Sequence, residues 1–328
     1  MSLLRNVYKW AAQVNADDLD EDRYLLCKKC TELLSNIGNH VEARHYLASA
    51  IDLSDLFSLY FEVIQHPSLL VTIPALHVLT KLLRFHVFVQ QSVVTQFIGN
   101  LLELCSQRLV RYEYLPEEFE DITSKFLSED IDTLPEKHAF LGNYRRYCSD
   151  IIELVVKLLP TDATHHILQQ ALSLIEEVGQ GQQNFRSQNF SRNTIPILRL
   201  DAQIMVVDAT IKGFLKWSHH DPSEQEQFER NKSAIEDAFQ EWCQNVATVE
   251  FRDPEMKKRV IDLLVTFCTK TMPNNSAFAV FVLDHILNIH ITTDDAYRDY
   301  SDSVKTLHAS CLTDLQKLAW AFPDYFFS

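Results

Sequence analysis

Turn-forming residues are scarce in this chain, with only 6 glycines and 10 prolines among 328 residues. The long runs repeat with helical rather than two-residue spacing, so α/β and all-β folds are excluded. No apolar run approaches the roughly 18 residues needed to span a bilayer. The N-terminus, MSLLRNVYKW, has no long apolar stretch followed by a small-residue cleavage site. Seven cysteines make an odd number, and most fall inside helical patterns, as buried thiols do in reducing compartments. An intracellular protein is expected. A net charge of -15 argues against bulk attraction to nucleic acid or anionic membrane and leaves room only for local basic surfaces. Glycine-rich phosphate loops, nucleophile elbows and HExxH are all missing, so no enzyme and no cofactor are expected.

What is present is organised around Thr133 to Val178. On a helical wheel, Phe140, Tyr144, Tyr147, Ile151, Leu154, Val155 and Leu158 share a face, and Ile152, Val156 and Leu159 widen it. A surface helix needs an apolar stripe only about 100° wide. One this broad demands neighbours on two sides. Pro160 breaks it, and a second amphipathic helix, carrying Ile167, Leu168, Ala171, Leu172, Ile175 and Val178, follows at once. So short a link predicts an antiparallel hairpin, the unit of a stacked solenoid.

Other segments read the same way. Residues 1–14 predict a short helix with Leu4, Val7, Trp10 and Ala11 on one face. The acidic turn at 16–22 suits the N-terminus of a helix bearing Leu26, Cys30, Leu33, Leu34 and Ile37, with Gly38 as its stop. Asp52 to Gln65 closes on His66-Pro67, and Ser68 to Phe88 pairs with Gln91 to Arg111, with Pro74 predicting a kink or a late start. Residues 113–136 are acidic and read as a solvated loop with one short helix around Phe119 to Phe126. Thr133 and Glu136 then have capping-box spacing. A polar loop occupies 179–195. Helices follow over Pro196 to Trp217, Ser223 to Val249, Asp253 to Lys270, Ser276 to Ile289 and Tyr297 to Trp320. Paired helices recur near the 40–47-residue spacing of HEAT or armadillo units, without a residue-level repeat signature. The expectation is an all-α, HEAT-like helical-hairpin solenoid over 1–328. Neither end reads as a polar capping helix, which suggests a piece of a longer array.

Candidate chemistry is sparse. Cys27-Lys-Lys-Cys30 has zinc or redox spacing, but it sits mid-helix with no second ligand pair and no preceding strand, and core thiols are the simpler reading. His165-His166 and His219-His220 are adjacent, whereas ligands on one helix face need an offset of three or four. Basic residues offer more. Arg145-Arg146, Arg186 and Arg192 of the polar loop, and Lys257-Lys258-Arg259 are candidate contacts for phosphates, RNA or a phosphorylated partner. Ordinary pairing, as between Arg146 and Asp150, is the alternative for each. Arg145 is expected at the groove between neighbouring helices.

The stretches RYLLCKKCTELLSNIGNHVEA and DLFSLYFEVIQHPSLLVTIPALHVLTKLLRFHVF carry Gly38-Asn39-His40 and His66-Pro67-Ser68. They resemble the middle of the exportin-five class of nuclear export receptors, within the importin-β (karyopherin) superfamily. EDIDTLPEKHAFLGNYRRYCSDIIELVVKLLP looks like the fungal branch, and LRLDAQIMVVDATIKGFLKW and FRDPEMKKRVIDLLVTF fit the order of elements. The resemblance covers an interior portion of a full receptor. It implies a HEAT superhelix that binds cargo together with Ran-GTP, chiefly through an amino-terminal region outside this sequence. It also implies engagement of nuclear pore proteins and shuttling between nucleus and cytoplasm. Cargo in the class is structured RNA or phosphorylated protein. A structural HEAT scaffold in a multiprotein complex is the alternative.

Overall fold

A computed structural model describes residues 1–13, 15–46, 53–116, 119–181, 194–217, 225–289 and 301–326. Among these, every regular element is helical and no strand occurs. The chain divides into two compact units, Met1–Val155 and Val156–Ser328.

In the first unit, helices α1 (Ser2–Ala11), α2 (Glu21–Ala43), α3 (Ser54–Val63), α4 (Leu69–Leu82), α5 (His86–Val89) and α6 (Ser92–Gln107) come in order. They are followed by a 3-10 turn (Tyr112–Tyr114), α7 (Ile122–Asp130) and α8 (Leu134–Leu158), which runs to the unit boundary and just beyond. Helix α2 packs on α4 and α3 packs on α6, while α3 and α4 form the hairpin between the two layers. Caps fix the starts. Asp20 accepts the Arg23 amide, Ser68 accepts that of Val71, and Asp121 accepts that of Ser124. At α8 the Glu136 amide donates to Thr133 Oγ1 at 3.4 Å, and that hydroxyl donates to the Glu136 carboxylate at 2.8 Å. Pro74 lies inside α4, which begins five residues earlier, so the late start does not occur.

Gly38 does not end α2, which continues to Ala43. A Cβ there would lie 1.8 Å from the Tyr60 hydroxyl and 2.5 Å from Val78 Cγ1. The glycine is needed because α3 and α4 approach α2 too closely for any side chain, and the Tyr60 hydroxyl donates to the Leu34 carbonyl at 2.8 Å. In α8 the fully buried positions are Leu141, Tyr144, Cys148, Ile151, Ile152, Val155 and Val156, flanked by half-buried Phe140, Tyr147 and Leu154. The broad apolar arc is present, buried most completely on its Ile152 and Val156 side, and Leu159 is exposed. Pro160 both breaks this helix and opens the next, which suits proline at a first helical position.

The second unit contains α9 (Pro160–Gly181), α10 (Ile195–Lys216), α11 (Gln225–Ala247), α12 (Pro254–Thr271), α13 (Ser276–Leu287), α14 (Ser301–Ala321) and the short α15 (Pro323–Phe326). Helices α9–α10, α11–α12 and α13–α14 form three hairpins. Helix α10 packs on α12 and α12 on α14 in one layer, and α9 packs on α11 in the other. Contact between every second helix is the stacking rule of HEAT-like repeats. Phe214, Phe239, Phe267 and Trp242 make an aromatic spine through α10, α11 and α12, with ring centroids 5.0–5.3 Å apart. The Trp242 indole donates to the Leu168 carbonyl at 2.7 Å, tying α11 to α9. This is an all-α, HEAT-like solenoid fold.

The acidic stretch 113–136 is not simply solvated. It holds α7 and the last two residues of the 3-10 turn, and two of its carboxylates are buried. Asp130 ends α7 with a side chain 2% exposed, where it pairs with Lys28 and accepts from the Tyr24 hydroxyl at 2.6 Å. The Tyr24 hydroxyl also meets Ser68 Oγ at 2.6 Å. Beside this network, His66 Nδ1 accepts the Ser68 amide, and the Arg108 guanidinium donates to the His66 and Pro67 carbonyls. Burial pushes His66 down to about 4, so the ring is neutral and its Nδ1 is free to accept. The His-Pro-Ser junction therefore joins α2, α4 and α7 by hydrogen bonds that no apolar pattern announces.

Candidate functional site

The basic residues marked out by the sequence fall in both units. Helix α8 carries Arg145 and Arg146 on adjacent positions, about 100° apart around the axis, which gives them different surroundings. Arg145 turns inward. Its fork donates to both oxygens of Glu113, at 3.0 and 2.9 Å, with the arginine side chain 13% and the carboxylate 1% exposed. His138 Nδ1 stands 3.6 Å from the same carboxylate, and its ring packs on Tyr114. The guanidinium is thus committed within the chain, pinning the 3-10 turn to α8.

Arg146 faces outward and is 57% exposed. It donates to Asn143 at 2.8 Å, approaches Asp150 at 3.8 Å and lies over the Tyr147 ring at 4.5 Å. The other face of that neighbourhood is His77, stacked on Tyr147 with centroids 5.1 Å apart. Burial lowers the His77 pKa, and the charges of Lys81 and Arg146 lower it further. Lys81 donates to Asn39 at 2.9 Å. A small basic surface therefore gathers Arg146 with His77 and Lys81 of α4. The latter two were missed in the sequence because nothing in linear spacing connects α4 to α8.

In α12 the three consecutive cations diverge. Arg259 is held by Asp201 of α10 and by Glu255, whose carboxylate lies at 3.2 Å. Burial works against its charge, but Asp201 and Glu255 outweigh burial and keep its pKa raised. That ion pair ties two layer neighbours together. Lys257 is half-buried, and its pKa is lowered by burial, with Glu250 acting in the opposite sense. It lines a cleft together with Arg252 and His285, neither of which was marked out by the sequence. Lys258 is half-exposed on the same turn. Arg186 and Arg192, like His219 and His220, lie outside the described residues.

Cys27 and Cys30 point into the core. Burial first, and then the neighbouring Cys30, push the Cys27 thiol up to about 12, and burial raises Cys30 as well. They pack as small apolar groups. Among the described residues no cluster of three or more metal-ligating side chains occurs, and no helix is long and apolar enough to cross a membrane.

Comparison with known proteins follows the same outline. The model of the Exportin-5 family matches residues 21–327. An uncharacterized protein of Schizosaccharomyces pombe is 26% identical over 314 residues, covering 92% of this chain and 25% of its own length. Protein MSN5 of Saccharomyces cerevisiae is 25% identical over 335 residues, covering 99% of this chain and 26% of its own. The chain thus spans about a quarter of the length of these relatives. A match that starts with α2 and runs through the last hairpin of a HEAT-like stack makes this chain a member of the Exportin-5 family.

Proposed function

We propose that this chain is a stretch of a nuclear export receptor that carries cargo out of the nucleus with Ran-GTP and shuttles through nuclear pore proteins. The observation that carries this reading is the family match over residues 21–327, laid on stacked helical hairpins. The fold suits the task mechanically. Each repeat touches only its neighbours, so small shifts per repeat sum into a large change of curvature on binding and release. The proposal includes one uninterrupted array over 1–328, with recognition by surface contact rather than catalysis.

Within that reading the basic residues divide by their surroundings. Arg146, Lys257 and Lys258 are the contacts offered to an anionic cargo, a phosphoprotein or a structured RNA, and the polar-loop Arg186 and Arg192 belong with them. Arg145 and Arg259 support the scaffold through their internal carboxylates. A nuclear efflux assay tests the role. Depleting the full-length product is expected to trap a bound reporter in nuclei, and adding it back with Ran-GTP is expected to restore efflux. Efflux indifferent to both additions would favour the scaffold reading.

A further inference from the structure

Helix α14 turns Ser303, Leu307, Cys311, Asp314 and Leu318 to one side, at offsets of three and four residues. All but the half-buried Cys311 are buried. A stripe of this kind ordinarily carries apolar side chains, yet position 314 holds an aspartate whose side chain is fully inaccessible. Lys317, one turn on, donates to its Oδ1 at 2.7 Å. Its Oδ2 is buried and, among the described residues, meets no hydrogen-bond donor. An orphaned oxygen on a buried carboxylate is costly, so the ionised form is a poor fit to this place.

Helix α12 packs against α14 and brings Asp262 within hydrogen-bonding reach of Asp314. Asp262 accepts from Ser310 Oγ at 3.2 Å, and Lys317 Nζ stands 3.9 Å from it. Two carboxyls facing one ammonium leave a negative charge unbalanced. Among the described residues no third ligating side chain completes a metal site, and a proton is the cation that fits. Placed on Asp314 Oδ2, it converts an orphaned acceptor into a donor toward Asp262 and removes the repulsion between the two. Burial of Asp314 and the Asp262 carboxyl both favour that proton, while Lys317 opposes it. Cys311, pushed up by burial and then by Asp314 and Asp262, stays an uncharged thiol. Helices α13 and α15 also touch α14, but their Asp284, His285, Asp324 and Tyr325 are not among the groups acting on Asp314.

We infer that Asp262 and Asp314 share one proton across the α12–α14 interface, and that its release to water loosens α14 from α12, a pH-sensitive latch inside the second unit. The sign follows from burial. A carboxyl that binds its proton more tightly when docked, near 6 against an ordinary 3.8, holds α14 down in acid and lets go as pH rises through 6. With 3.8 for the undocked helix, the equilibrium constant for local opening rises about tenfold between roughly pH 5 and 7.5 and is nearly level above about 7. The α13–α14 hairpin thus yields more readily near neutrality than in acid. The inference concerns the second unit alone and stands or falls apart from the transport reading.

The test is hydrogen exchange of the whole 328-residue chain, read by mass spectrometry on peptides of α14 and corrected for the intrinsic pH dependence of exchange. Urea below the unfolding transition separates local opening, which responds weakly to it, from global unfolding, which responds in full. Protection of α14 is expected to fall about tenfold from roughly pH 5 to 7.5, with a shallow urea slope. Asp314→Asn, whose amide replaces the protonated carboxyl as a donor to Asp262, is expected to remove the pH dependence. Asp262→Asn, which offers Asp314 a donor at every pH, is expected to remove most of it. Lys317→Gln is expected to move the midpoint upward, because the ammonium that favours the ionised form is gone. Protection independent of pH in the parent chain, or a pH dependence that persists in Asp314→Asn, would overturn the shared proton. A pH response carried only by the full urea slope, with α9 and α14 exchanging together, would overturn the latch.

Discussion

Replacing Arg145 by methionine removes the guanidinium and leaves the methylene stem to pack. The Glu113 carboxylate, 1% exposed, then loses both of its arginine hydrogen bonds, and among the described residues His138, at 3.6 Å, is the ion-pair partner that remains. Breaking a buried ion pair from one side costs about 3–5 kcal/mol, because the orphaned charge stays desolvated. The 13% exposure of Arg145 admits some water, which places the loss near the lower end, about 3 kcal/mol. For a unit of this size that lowers its melting temperature by roughly 6–12 °C. Urea denaturation followed by circular dichroism measures it. The paired variant Glu113→Leu/Arg145→Met removes both charges, and a buried pair replaced by apolar groups is often neutral, so most of the loss should return. The resulting coupling, about 2 kcal/mol or more, is the signature of direct interaction. A loss below about 1 kcal/mol in the single variant, with no recovery in the double, would refute the assignment of Arg145 to an internal pair. Cargo affinity of Arg145→Met, measured below its melting range, is expected to stay close to that of the parent.

Other perturbations follow from single contacts. Gly38→Ala places a methyl into the Tyr60 hydroxyl and Val78, and should cost about 2–3 kcal/mol in urea, whereas Gly142→Ala, with open space around it, should stabilise α8 by about 0.5–1 kcal/mol. Equal effects of the two would contradict the close approach of α2, α3 and α4. Asp314 of α14 is fully buried; burial and the facing Asp262 carboxyl raise it to about 6, against the opposing hydrogen bond from Lys317. Because its folded pKa lies above the ordinary 3.8, its contribution to stability is present below 3.8 and lost as pH rises through 6. Asp314→Asn should therefore gain about 2 kcal/mol near pH 7.5 and flatten the decline above pH 4, whereas parallel pH profiles would contradict it.

The helices were legible because their signals are local. Asp20, Ser68, Thr133 and Asp253 each cap or orient a helix start where the sequence placed one, and Pro160 marks a real break. What was not legible depends on contacts between helices. Gly38 reads as a stop from its own neighbours, yet its role is set by Tyr60 and Val78 on two other helices. Glu113 and Asp130 read as solvated acids within an acidic run, but partners far along the chain, Arg145 and Lys28, bring them inside. Arg145 was expected at the groove between neighbouring helices; it faces the 3-10 turn, and the Glu113 carboxylate that meets it gave no sign in the linear pattern. The gathering of Arg252, Lys257 and His285 has the same cause. Each lies on a different element, and only the packing of the α11–α12 turn against α13 brings them to one cleft.

The central claim is that this chain belongs to a receptor whose binding follows the nucleotide state of Ran. The direct measurement is equilibrium binding of the full-length product to Ran locked with GTP and to Ran bound to GDP, with cargo present and absent. The account predicts at least tenfold tighter binding to the GTP form, a difference of about 1.4 kcal/mol or more, and tighter still with cargo. Equal affinity for the two nucleotide states, unchanged by cargo, would contradict it.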